Sequence, residues 1–148
     1  MGTYTPNTSL LVQHVAGRLA TILTPAWRTN IGANVTTERE QEIATAAPFC
    51  NVRLASWEAG EEGTAVVRRC ELVIEATVPA TDQDAEAQAR LAAEDVFELF
   101  RFPAAGASLA AGVQAVLRPV DSAVLDRPEG APAVIARLTL RADLYESL

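Results

Sequence analysis

Lysine is absent from this 148-residue chain: all 12 basic side chains are arginine, set against 19 acids, for a formal net charge of −7. An acidic balance without a cationic cluster excludes a protein that grips nucleic acid through many phosphate contacts. Histidine occurs once, at His14, and cysteine twice, at Cys50 and Cys70, without CxxC spacing. A closed zinc site takes four Cys or His ligands, so no metal is expected. The two cysteines fall in separate expected strands and read as buried free thiols. Aromatic residues make up only 5%, so the core must be built from Ala, Val, Leu and Ile. No apolar run approaches the ~20 residues needed to cross a bilayer. Residues Met1 to Pro6 show no cationic stretch leading into an apolar one. Neither a membrane partner nor secretion is expected, and synthesis is expected in the cytoplasm.

Chemistry is sparse as well. There is no GxxxxGKS/T or GxGxxG loop to cradle phosphate, and no GxSxG elbow. A nucleophile–base pair would have to join His14, on a helix, to Cys50 or Cys70, in core strands. The acid pairs Glu61–Glu62 and Glu94–Asp95 read as solvated surface, and no feature places two carboxylates in one pocket. No catalytic residue, cofactor site or metal site is therefore expected.

Hydrophobic residues reach 49%, and 148 residues suffice for one domain with a real core, expected to span 1–148. Leu11, Val15, Leu19 and Ile22 recur at helical spacing after Asn7, Thr8 and Ser9, which offer cap side chains; Pro25 is the expected stop. Gly32 marks a turn or bulge, 34–37 a short strand, and 38–42 a charged loop or edge. The stretch Pro48 to Trp57 reads as a strand with Cys50, Val52 and Leu54 on one side. Residues 58–63 read as a polar turn, and Thr64 to Val78 as the longest strand. There Cys70, Leu72, Ile74, Ala76 and Val78 alternate with Arg69, Glu71, Val73, Glu75 and Thr77, the period of a sheet with one buried face. Pro79 closes the strand.

Thr81 or Asp82 then caps a second helix, whose stripe is Ala85, Ala89, Ala92, Val96, Leu99 and Phe100. A break at 102–107 follows, then a strand at Gly112 to Arg118. Residues 119–132 read as a long polar loop. Ala133 to Tyr145 alternates cleanly to the end. The fold class is α+β: a mostly antiparallel sheet with two main helices packed on one face. The other face is expected to be open and charged, carrying Arg69, Glu71, Glu75, Arg137, Arg141 and Asp143 with few apolar residues, such as Val73 and Ile135. Such charges serve either as cross-strand pairs or as halves of a subunit contact. The two loops, 57–63 and 119–132, are longer than connection requires, a feature of binding loops.

Several segments together carry a resemblance. The Gly-centred run Thr29 to Val35 follows the first helix. Next come Pro48-Phe49-Cys50-Asn51-Val52 and the long strand Arg68 to Ala76. The acidic, alanine-rich helix Ala89 to Val96 and the final alternating strand complete the order. Over roughly residues 8 to 145 it resembles the tail terminator proteins of long-tailed phages, the minor tail proteins of the U type. The resemblance implies a homo-hexameric ring on the end of the tail tube. Such a ring stops tube-protein polymerisation and offers the head–neck connector proteins a surface to join. It implies a place in the virion at the tail–neck junction after assembly in the host cytoplasm. DNA would pass through the lumen without specific binding, which an anionic ring permits. It carries over no catalytic residues. The 119–132 loop departs from the pattern.

On this reading the subunit or tail-tube contacts are expected among Glu58, Glu61, Glu62, Arg69, Glu71, Glu75, Arg137 and Arg141. Two alternatives remain. Another phage head–tail joining or head-completion protein would bind filled heads rather than tubes. A small-molecule binding or enzymatic α+β domain would need a concave site with convergent polar groups.

Overall fold

A computed structural model describes residues 6–38, 48–63, 65–79, 84–101, 107–127 and 133–147. The elements are α1 (Asn7–Leu19), β1 (Val35–Thr37), β2 (Phe49–Glu62), β3 (Ala65–Pro79), α2 (Ala85–Leu99), β4 (Ala107–Ala110), β5 (Val113–Leu117), β6 (Ser122–Asp126) and β7 (Ala133–Ser147). They form one seven-stranded sheet in the order β1-β2-β3-β7-β5-β4, with β6 also paired to β7. Among the described residues only the β1–β2 pair is parallel.

Alternation dictates the two central strands. Cys70, Leu72, Ile74, Ala76 and Val78 of β3 and Val134, Ala136, Leu138, Leu140, Ala142 and Leu144 of β7 are all buried on one face. The helices cover that face, α1 over β1 and β2, α2 over β3 and β7. Leu11, Val15, Leu19 and Ile22 from the first helical segment, and Ala85, Ala89, Ala92, Val96 and Phe100 from the second, are likewise buried. Each large side chain so buried contributes about 1.5–3 kcal/mol. The α+β class and the placement of both helices on one face agree with the sequence reading.

Several boundaries differ from the sequence reading. The first helix stops at Leu19, before Pro25, and Pro6 stands at its N-cap without a side-chain cap. Its end is closed by the following segment, where the Gly32 N–H donates to the Ile22 carbonyl at 3.0 Å. Residues 58–62 are not a turn: β2 continues through them, paired with β3 as far as Glu62 opposite Ala65. Gly63, directly after the last β2 residue, has a positive φ of 64°, the backbone a tight hairpin needs. The segment 119–132 is not all loop, since β6 lies within it and pairs with β7. Strand β4 was hidden in an Ala/Gly stretch. The charged segment beyond Glu38, the caps Thr81 and Asp82, the break at 102–106 and the loop end at 128–132 lie outside the described residues.

The second face is also not uniformly open. Ile135 is 0% exposed, Thr77 2%, Glu75 and Asn51 5%, Asp143 7% and Val73 8%. The sheet is thus buried on both faces at the end holding Glu75. It opens to solvent towards the β2–β3 hairpin, where β2 is exposed from Ala55 to Ala59 and again at Glu61 and Glu62.

Candidate functional site

A bulge in β2 shapes the exposed end. Leu54 stands opposite Leu72, but Ser56 stands opposite Glu71, so Ala55 is an extra residue and the alternation flips. Beyond the bulge Trp57 pairs with Cys70 and shares the helix-side face, and Glu58 pairs with Arg69 on the other. Simple alternation from Phe49 would have reversed both.

On the face away from the helices, an open depression of about 740 Å³ is lined by Glu58, Arg69, Glu71, Arg118, Arg141 and Asp143, among others. Four of the eight residues expected at a contact therefore meet here. Glu61 and Glu62 lie beyond it, at the hairpin tip. Glu75 and Arg137 lie in the buried zone, and the register aligns them directly across β3 and β7.

The charges sort into two groups. Glu75 accepts from Arg53 at 3.4 Å and from Arg137 at 3.1 Å, and Arg137 also reaches Asp126 at 3.3 Å. Arg141 pairs with Asp121 at 3.0 Å and Arg118 with Asp143 at 2.6 Å. Hydrogen bonding to Asp143 raises the Arg118 guanidinium above its ordinary value. For Glu75, Arg137 and Arg141 the cross-strand role is thus filled within the chain. Glu58, Glu61, Glu62, Arg69 and Glu71 make no ion pair among the described residues.

Sequence reasoning missed a second feature of this end. On the helix side the Arg68 guanidinium lies 4.9 Å from the Trp57 ring centroid. The same Arg68 is paired with Glu146, which also accepts from Asn7 at the start of α1. Trp57 is 50% exposed, yet Arg68 and its partners hold it in place. The one signal in the sequence was a tryptophan adjoining an acidic run.

The candidates for covalent chemistry stay apart. Burial pushes the Cys50 thiol up to about 12 and the Cys70 thiol up to about 11. A raised thiol value leaves both groups neutral at physiological pH, so neither is a thiolate nucleophile. His14 makes no hydrogen bond among the described residues, and burial, then the Arg18 charge, lowers it from its ordinary value. Native protein at pH 8 is therefore expected to leave a disulfide-exchange reagent unreacted, with both thiols titrating only after denaturation. A fast reaction of either thiol in the folded chain would contradict this burial.

A pocket between helix and sheet, about 460 Å³, is lined by Arg28, Asn30, Ile31, Asn34, Val78 and Gln88, among others. Its single cation is already committed: Arg28 pairs with Asp95 at 3.1 Å and Glu98 at 2.8 Å. The Glu98 carboxylate first and Asp95 second raise Arg28 further. Among the described residues no group of three metal-ligating side chains comes together, and no helix is long and apolar enough to cross a membrane.

No protein-family model matches the chain, and no curated protein matches it in sequence. Among solved structures it is similar to a chain of the virion of a native gene transfer agent (GTA) particle. The match has a TM-score of 0.56 and 20% identity, and covers 88% of this chain and 91% of that one. At that identity the likeness shows a shared fold, extending over nearly the whole of both chains.

Proposed function

We propose that this protein is a structural component of a phage or phage-like virion and not an enzyme. The observation that carries the reading is the end-to-end fold shared with a chain of a gene transfer agent virion. Fold alone does not fix function, but the chemistry of the chain points the same way. Its thiols are buried and neutral, its histidine has no hydrogen-bonding partner among the described residues, and Glu75, Arg137 and Arg141 are held in ion pairs within the chain. Within that class we place it as the tail terminator. A ring of such subunits would cap the tail tube, stop its growth and present a surface to the head–neck connector. A chain at −7 gives an anionic ring, through which DNA slides without being held.

The experiment is capping. Added to polymerising tail-tube protein, the chain is expected to arrest tube length, as seen by negative-stain microscopy, with a ring of six at one end. Binding to DNA-filled heads with no effect on tubes would instead make it a head-completion protein.

The hairpin tip supplies a second test. Reversing Glu58, Glu61 and Glu62 together to lysine is expected to abolish capping while the thermal melt stays within a degree or two of wild type. These side chains are exposed and make no ion pair among the described residues, so little stability depends on them. Normal capping by the triple variant would reduce the tip to a solvated connection.

A further inference from the structure

We infer that the sheet continues from copy to copy: the edge strand β4 of one chain adds beside the free edge of β2 in the next. The inference rests on the ring reading and names the seam that would build it.

A sheet edge is a row of backbone donors and acceptors, and its complement is another strand. On β2 that edge is covered only in part. β1 pairs with Cys50 to Val52, and the Glu38 carboxylate accepts from the Leu54 N–H at 3.1 Å. The Cys50 N–H and the Val52 carbonyl face β1. The bulge at Ala55 then shifts the phase, so Trp57, Ala59 and Glu61 turn their N–H and C=O groups away from β3. None of these groups is bonded among the described residues. The opposite edge is β4. In β5 the Gly112 carbonyl and the Arg118 N–H bond β7, so Gln114, in phase with both, also turns to β7. Its neighbour Ser108 on β4 therefore turns its own N–H and C=O outward.

Register points to a second copy as the occupant. Gly60 pairs with Val67, Val67 with Tyr145, Tyr145 with Gln114 and Gln114 with Ser108. The two free edges thus lie at the ends of one row across five strands. All four pairings in that row are antiparallel, so β2 and β4 run in the same direction. Rotation from one copy to the next carries that direction over. β4 would meet the next β2 in parallel, with Ser108 opposite Gly60, a heterologous contact that repeats around a ring. At about 4.8 Å per strand, six such rows close a ring about 45 Å across, wider than a DNA duplex. A two-fold pairing of β2 with itself is poorer, because it would set Glu58, Glu61 and Glu62 of two copies against one another. Strand β4, Ala-Ser-Leu-Ala, brings neither charge nor proline to the seam.

The test is made on the full chain. Ser108→Pro and Ala59→Pro each remove one outward N–H and no bond inside the sheet, so both variants should fold, as circular dichroism will check. By sedimentation velocity each is expected to remain monomeric at concentrations where wild type assembles. For weak assembly the seam is trapped by cross-linking under mild oxidation. Ser108→Cys mixed with Gly60→Cys, or with Glu58→Cys two residues along, is expected to give an intermolecular disulfide, since all three positions stand on the face away from the helices. A Cβ at Gly60 meets nothing nearer than the Arg69 side chain at 3.9 Å, so that variant is accommodated. Ala59→Cys, on the helix side, should not link to Ser108→Cys, and no variant should link to itself. Proline variants that assemble like wild type, mixtures that give no disulfide, or a single variant that links to itself across a two-fold axis overturn the seam. Tube capping by wild type is scored separately, so loss of this seam and loss of the terminator reading are distinguishable.

Discussion

Gly32→Ala is expected to lower the melting temperature by roughly 6–12 °C, taking a cost of about 3 kcal/mol and ~2–4 °C per kcal/mol at this chain length. A Cβ at Gly32 would lie 2.6 Å from the Leu19 carbonyl oxygen, 2.7 Å from that of Ile22 and 2.8 Å from that of Ala20. All three are backbone atoms at the end of α1, so no side chain can swing aside. The same glycine N–H closes that end on Ile22, and the segment leads directly into β1. Shifting it would break the seat of Ile22 and Ile31, both essentially fully buried. Gly17, inside α1, is the control. Nothing lies within 4 Å of its would-be Cβ, so Gly17→Ala should raise stability by about 0.5–1 kcal/mol through helix propensity alone. Thermal melts of the two variants check both signs. A Gly32→Ala protein melting with wild type would mean that the segment does not pack on the helix end as described.

The contrast between these glycines shows what local pattern carries. Gly32 was legible as a break, but not as a point of close approach, because the atoms it meets lie ten or more residues away in sequence. Strands β3 and β7 were legible in extent and facing, though not in their pairing, since one unbroken apolar alternation over a dozen residues leaves a single buried face. The end of β2 was not. Glu58-Ala59-Gly60-Glu61-Glu62 has the composition of a turn, and only pairing with β3 makes it strand, a tertiary effect that outweighs propensity. Strand β6 hid between Pro119 and Pro128 for the same reason, short and supported only along one edge by β7. The bulge at Ala55 left no local signal, yet it moves Trp57 to the helix side and Glu58 to the depression. Of the expected contact residues, the shared face of Arg69, Glu71, Glu75, Arg137 and Arg141 was readable from the alternation, while that of Glu58, Glu61 and Glu62 was not. What sequence could not divide was Glu75, Arg137 and Arg141, consumed by pairs within the chain, from Glu58, Glu61, Glu62, Arg69 and Glu71, left without them among the described residues.

Asp95 is the other position where a large loss is expected, and it reverses a reading made from composition. Beside Glu94 on an acidic helix it passes for surface, yet it is 0% exposed. It lies three residues after Ala92 and four before Leu99, inside the apolar stripe, so the period itself held the clue. Its carboxylate accepts from the Thr29 N–H and Thr29 Oγ1, both at 2.8 Å, from the Arg28 N–H at 3.3 Å and from the Arg28 guanidinium at 3.1 Å. One side chain of α2 thereby ties down the segment that follows α1. Asp95→Ala would leave the two buried donors of Thr29 without an acceptor, at about 1–3 kcal/mol each, so about 2–6 kcal/mol in total. Asp95→Asn keeps one acceptor oxygen but turns an amide toward the remaining donors, and should fall between alanine and wild type. Removing Glu98, the exposed partner of the same Arg28, should leave the melt unchanged, because solvent screens that pair. Chemical denaturation of the three variants separates these outcomes by midpoint. If Asp95→Ala unfolds no earlier than Glu98→Ala, the buried carboxylate is not what fastens this segment to α2.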